Sequence, residues 1–114
     1  MSLNIKEKYG LLINNEWVPA SDGAEFAVYN PANGDQLAIC AEATQADVDK
    51  AVEVATEAFK TWKHVSQVDR ADYLLKIADA IDAHKEHLAQ VETYDNGKPI
   101  RETLNVDIPL GADH

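Results

Sequence analysis

Glycine, cysteine and large aromatic side chains are scarce in this 114-residue sequence, and each scarcity removes a class of function. The five glycines, Gly10, Gly23, Gly34, Gly97 and Gly111, are scattered one to a turn. A phosphate-cradling loop needs them clustered so that backbone N–H groups can approach the phosphates, and no dinucleotide-binding fingerprint is present. The lone cysteine, Cys40, rules out an internal disulfide framework. As a thiol nucleophile it would need a helix N-terminus, a cation or a histidine to lower its pKa. It instead ends the apolar run Leu37-Ala38-Ile39-Cys40, where it reads as a buried strand residue acting as a small hydrophobe.

Apolar residues make up 46% of the chain, but there are only two Phe and two Trp, so the core it can build alone is modest. A domain of this size buries roughly two-thirds of its unfolded surface, which leaves little margin if a face lacks its partner. No apolar run approaches the roughly 18 residues of a membrane span. The N-terminus lacks the apolar core and small-residue cleavage site of a signal peptide. Basic residues are outnumbered 20 to 10, for a formal charge of −10. Such a surface repels phosphate backbones and anionic lipid, which argues against nucleic-acid and membrane partners. These absences together point to the cytoplasm.

What is present reads as an α/β chain: β-hairpins over residues 1–43, then three to four helices over 44–114. Leu11 to Ile13 and Glu16 to Val18 flank Asn14-Asn15, whose tolerance of positive φ predicts a tight hairpin. A second pair, Phe26 to Tyr29 and Gln36 to Cys40, flanks the turn Asn30-Pro31-Ala32-Asn33-Gly34-Asp35. Thr44 with Asp47 three residues on resembles a capping box. Val48, Ala51, Val52, Ala55, Phe59 and Trp62 then mark one face of a helix ending near Lys63. Ser66 with Asp69 repeats the start signal ahead of Ala71, Leu74, Ala78 and Ile81, with Ile77 beside them. A shorter helix with Leu88 and Val91 inward ends at Asp95-Asn96-Gly97, with Gly97 suited to the left-handed position. Pro99 restarts the chain at a first helical position, and Ile100, Leu104 and Ile108 mark a last stretch that Pro109 should interrupt or kink.

Few residues suggest chemistry. His84 and His87 could share one helical face as metal ligands, but their neighbours are Lys85 and Glu86 and no cysteine or further histidine joins them. A solvated face is the simpler reading. Carboxylates are plentiful on polar faces, and no pair stands out as an acid and a base.

The second half carries a resemblance. Glu92-Thr93-Tyr94-Asp95-Asn96-Gly97-Lys98-Pro99, extended through Leu110, resembles a segment of the aldehyde dehydrogenase superfamily. Ile13 to Trp17, Tyr29 to Gly34, Ala43-Thr44 with Asp47 to Val52, Phe59 to Trp62 and Arg70 to Leu74 fall in that family's order, so the resemblance runs from about Gly10 onward. Within the family, the run from Asp95 to Leu110 looks most like bacterial enzymes acting on acetaldehyde and other short aliphatic aldehydes, with betaine aldehyde dehydrogenases next.

The resemblance implies that the chain is the N-terminal part of an NAD(P)-binding domain in a homodimeric or homotetrameric enzyme. In that family a cysteine thiolate attacks the aldehyde, hydride passes to NAD or NADP, and a glutamate activates water to release the acid. Those residues lie beyond His114 in the family pattern, and Cys40 lacks the nucleophile's surrounding motif. No catalytic or cofactor-binding residue is therefore carried over. A monovalent cation, K+ or Na+, is implied at the backbone carbonyls of Val28 and Tyr29 and the carboxylate of Asp107, since oxygen ligands suit a hard cation. Against this, Asp107 can simply hydrogen-bond locally. Two other readings compete: a truncated, non-enzymatic module whose helix faces dock on another protein, and a small metal protein built on His84 and His87.

Overall fold

A computed structural model describes residues 3–114, which form two compact units interleaved along the sequence. One contains residues 6–28 and 38–65; the other contains 3–5, 29–37 and 66–114. The units do not divide at the change from hairpins to helices, because each hairpin-turn segment joins the helices with which it packs.

In the first unit, β1 (Lys8–Tyr9) pairs in parallel with β5 (Gln36–Ala41), placing Lys8 opposite Ile39 and Tyr9 opposite Cys40. β5 also neighbours β4 (Glu25–Tyr29), giving a sheet in the order β1-β5-β4. The expected first hairpin is present: β2 (Leu11–Ile13) runs antiparallel to β3 (Glu16–Val18), with Leu12 opposite Trp17. Asn14 and Asn15 both have positive φ, 54° and 61°, as a turn with the twist of its strands requires. α1 (Gln45–Trp62) packs on β2 and begins at the expected cap. The Thr44 side chain accepts from the Asp47 amide, and the Asp47 carboxylate accepts from the Thr44 amide. A hydroxyl cap of this kind contributes about 1 kcal/mol.

The second unit is mainly helical. Ser66 caps α2 (Gln67–Ala83) by accepting from the Asp69 amide. α3 (Lys85–Asn96) follows directly and ends on Gly97, left-handed at φ 82° as its place after the helix predicts. The last helical stretch comes in three pieces: α4 (Ile100–Glu102), a π-helical turn over Thr103–Asp107, and α5 (Ile108–Asp113), which packs on α2. Pro99 sits one residue earlier than expected, as the cap rather than the first helical residue. Pro109 does disturb the helix, through the π-turn before it. In an α-helix its ring would press on the Asn105 carbonyl and leave that carbonyl without its N–H. Here the Ile108 amide reaches back five residues to Thr103, widening the turn just ahead of the proline.

The buried side chains among the described residues are all small: Ala20, Ala38, Ala89, Asn30 and Thr103. Cys40, expected to be buried, is half-buried. The apolar stripes of the helices are largely in solvent. Phe59 is 56% exposed and Leu74 67%, whereas Leu88 and Val91 are half-buried as expected. The helical periodicity is as expected, but within these units it leaves most of its apolar positions exposed.

Candidate functional site

The densest constellation lies in the helical unit, where two sequence motifs meet. The turn Asn30–Asp35 folds on itself: Asn30 Oδ1 accepts from the Ala32 amide at 2.9 Å, and the Gly34 amide donates to the Asn30 carbonyl at 2.8 Å. Pro31 then lies against Gly97, so a β-carbon added at Gly97 would come within 3.0 Å of its ring. Gly97 is thus required twice, by its φ and by the proline packed on it. Sequence spacing alone gives no hint that these motifs touch.

Immediately after Gly97, Lys98 reaches across to the π-turn. Its Nζ lies 2.7 Å from Asp107 Oδ1 and 2.6 Å from Oδ2. The hydrogen bond that Lys98 donates to Asp107 raises the Lys98 pKa first of all, opposed by desolvation and reinforced by the charges of Asp107, Glu102 and Glu92. Nearby, Thr103 is wholly buried and joins α3 to the π-turn. Its Oγ1 donates to the Ala89 carbonyl at 3.1 Å and lies 2.9 Å from Thr93 Oγ1. The Ile100 carbonyl lies 3.3 Å from the same hydroxyl, so its single proton is shared among these neighbours.

These contacts bear on the cation reading. Val28 and Tyr29 are the last two residues of β4, so their carbonyls belong to a strand end. Asp107, however, already accepts the Lys98 ammonium at Oδ1, while its buried Oδ2 makes no hydrogen bond. A K+ or Na+ at that carboxylate would sit beside a like charge at contact distance, which is unfavourable. The Lys98 charge weighs against the ligand role for Asp107, and the unpartnered Oδ2 weighs for it.

The two histidines share one patch of surface. His84 ends α2, with Nδ1 2.8 Å from the Ala80 carbonyl, while His87 is exposed on α3. Both line a shallow surface depression with Asp82, Glu86 and Gln90. Among the described residues no three His, Cys, Asp or Glu side chains are placed to share a metal ion. No described helix is long and apolar enough to cross a membrane.

In the first unit the cap of α1 is the electrostatic centre. Asp47 receives the Thr44 amide at 2.9 Å and the Ser21 amide at 3.1 and 3.2 Å. Ser21 Oγ adds a contact of 2.8 Å to Thr44 Oγ1. The Thr44 amide, then that of Ser21, hold the Asp47 carboxyl below the usual carboxylate range, with desolvation opposing them. A pKa lower in the folded chain than in the unfolded one gives stability that is complete above the unfolded value and lost as pH falls through the folded value. Acidification should therefore unfasten the start of α1. Circular dichroism across an acid titration should show Asp47→Asn with a weaker acid-dependent loss of helix than the parent; identical titrations would remove Asp47 from this role.

The constellation is one of hydrogen-bonded fastenings, with no poised nucleophile and base among the residues discussed. The aldehyde dehydrogenase family model matches residues 17–114. An acetaldehyde dehydrogenase of Pseudomonas aeruginosa is 46% identical over 112 residues, which is 98% of this chain and 22% of that protein. The NAD+ complex of an aldehyde dehydrogenase from Bacillus cereus superposes with a TM-score of 0.90 at 38% identity, covering 98% of this chain and 25% of that one. An NAD-dependent aldehyde dehydrogenase from Sinorhizobium meliloti gives 0.90 at 34% identity, covering 97% and 22%.

The chain belongs to the aldehyde dehydrogenase family, whose members are oxidoreductases. Its fold is the corresponding α/β segment of those enzymes, and it spans about a fifth of the length of the curated relatives it matches.

Proposed function

We propose that these residues serve in the NAD(P)-binding domain of a cytoplasmic, homo-oligomeric aldehyde dehydrogenase that oxidises a short aliphatic aldehyde to its carboxylic acid. The observation that carries this reading is the 46% identity with an acetaldehyde dehydrogenase along 98% of the chain. Solved relatives described as NAD complexes or as NAD-dependent support the choice of cofactor. When bound, a nicotinamide cofactor accepts the hydride that leaves the aldehyde carbon.

The contribution of this chain is positional. The Gly97–Pro31 contact, the Lys98–Asp107 pair and the Thr103 hydrogen bonds fix the segment from Asp95 to Ile108 against α3. Chemistry needs reacting groups held to within a fraction of an ångström, and a scaffold fastened in this way supplies that constancy. The chain by itself should have no dehydrogenase activity. Purified residues 1–114 mixed with NAD and acetaldehyde should give no NADH absorbance above the protein-free rate. Turnover that scaled with protein concentration would show that the chemistry is housed within these residues, contrary to the proposal.

A further inference from the structure

Two of the seven asparagines are followed by glycine, in Asn33-Gly34 and Asn96-Gly97. This pairing is the one most open to loss of the side-chain amide. Glycine has no β-carbon to hinder its backbone nitrogen, which can reach the Cγ of the asparagine before it. The five other asparagines precede proline, which has no N–H, or residues that carry a side chain.

The local hydrogen bonding of the two pairs is the same. Each glycine amide donates to the carbonyl four residues back, Gly34 to Asn30 at 2.8 Å and Gly97 to Thr93 at 3.0 Å. Each asparagine Oδ1 accepts the amide two residues on, from Asp35 at 3.0 Å and from Lys98 at 2.8 Å. Each Nδ2 donates to a carboxylate, Asp35 for Asn33 and Glu92 for Asn96. Both glycines have positive φ, 78° and 82°. What differs is the structure resting on the peptide. Asn96 is the last residue of α3, the Pro31 ring lies on Gly97, and Lys98 is tied to Asp107. Turning the Asn96–Gly97 peptide would unwind the helix end and disturb both of those contacts. Gly34 has nothing within 4 Å of a β-carbon built on it, and Asn33 and Asp35 are exposed beside it. Turning that peptide breaks only the bonds of its own turn.

We propose that Asn33 is a site of spontaneous covalent modification and that the same sequence at Asn96 is protected by its packing. The Gly34 nitrogen gives up its proton to solvent base and bonds to Asn33 Cγ, and the Cγ–Nδ2 bond breaks with release of ammonia. Water then opens the succinimide ring at either carbonyl, leaving aspartate or isoaspartate at position 33. The sum is one amide hydrolysed by one water, with no oxidation or reduction. The aspartate product puts a carboxylate where Nδ2 had donated to Asp35, so two like charges face each other in the turn that seats Pro31 on Gly97.

The test ages the purified chain in warm, mildly alkaline buffer, with a parallel sample in urea. Tryptic digestion and tandem mass spectrometry then read the exchange of NH2 for OH at each asparagine. In the native chain Asn96 should react at least about tenfold more slowly than Asn33, the factor given by about 1.4 kcal/mol of extra opening cost. In urea the two rates should converge, since the sequence context is shared. Asn33→Gln should abolish the gain in its own peptide, because the longer side chain does not close the five-membered ring. Equal native rates at the two sites would overturn the proposal. So would earlier reaction at Asn96, a difference that persists in urea, or an Asn33 that reacts in urea but not in the native chain.

Discussion

Thr103→Val should lower the unfolding free energy of the chain by about 2 kcal/mol, seen as a lower urea midpoint. Thr103 is wholly buried, and its hydroxyl is where α3 and the π-turn are joined. Valine keeps the shape and removes the hydroxyl, so the Ala89 carbonyl keeps only its helical donor and the Thr93 hydroxyl loses its partner. Leaving the half-buried Thr93 hydroxyl unpaired costs more than the net value of the bond itself. Thr103→Ser keeps the hydroxyl and gives up one methyl, so its penalty should stay near 1 kcal/mol. If valine proved as good as serine, the hydrogen bonds would not be what holds this junction.

Gly10→Ala should be comparably damaging, for a reason of space. A β-carbon there would lie 2.7 Å from the Val18 carbonyl oxygen and 3.3 Å from its carbon. Both are backbone atoms, so no side chain can swing aside, and β2 must move off β3. Overpacking of this kind costs about 1–3 kcal/mol, and amide exchange across Leu11 to Val18 should accelerate with it. Gly111 is the matched control. It sits in α5 with nothing within 4 Å of its would-be β-carbon. Gly111→Ala should therefore be neutral or stabilise by up to about 1 kcal/mol. Equal effects at the two positions would refute the steric account.

The features legible in the sequence are those set by neighbours along the chain. Thr44 with Asp47, Ser66 with Asp69, Asn14-Asn15 and Gly97 each satisfy a local geometric need, and each lies where its chemistry directs. Contacts between distant residues are hidden. Gly10 looks like any turn glycine until Val18 is seen beside it, and Thr103 looks like an ordinary helical threonine until Ala89 is placed behind it. β1 is only two residues long, too short for any alternation to register. The π-turn left one clue, Pro109, which announces a disturbed helix but not its form. For the site, ordered motifs identified the family. The pairing of Lys98 with Asp107 depends on how far the lysine reaches, which spacing does not encode.

The parallel pairing of β1 with β5 also bears on the order in which the chain folds. Lys8 meets Ile39 about thirty residues further along, whereas the turn joining β2 to β3 is closed by two asparagines. Closing a loop of that length costs about 3 kcal/mol of chain entropy before any contact is gained. A two-residue strand returns little against that cost. The hairpins therefore form early, and the N-terminal strand docks late, once β5 is already in place to receive it. During synthesis β1 leaves the ribosome first and waits for its partner. It spends that interval as an unpaired strand, the condition in which a nascent chain is most open to wrong pairings.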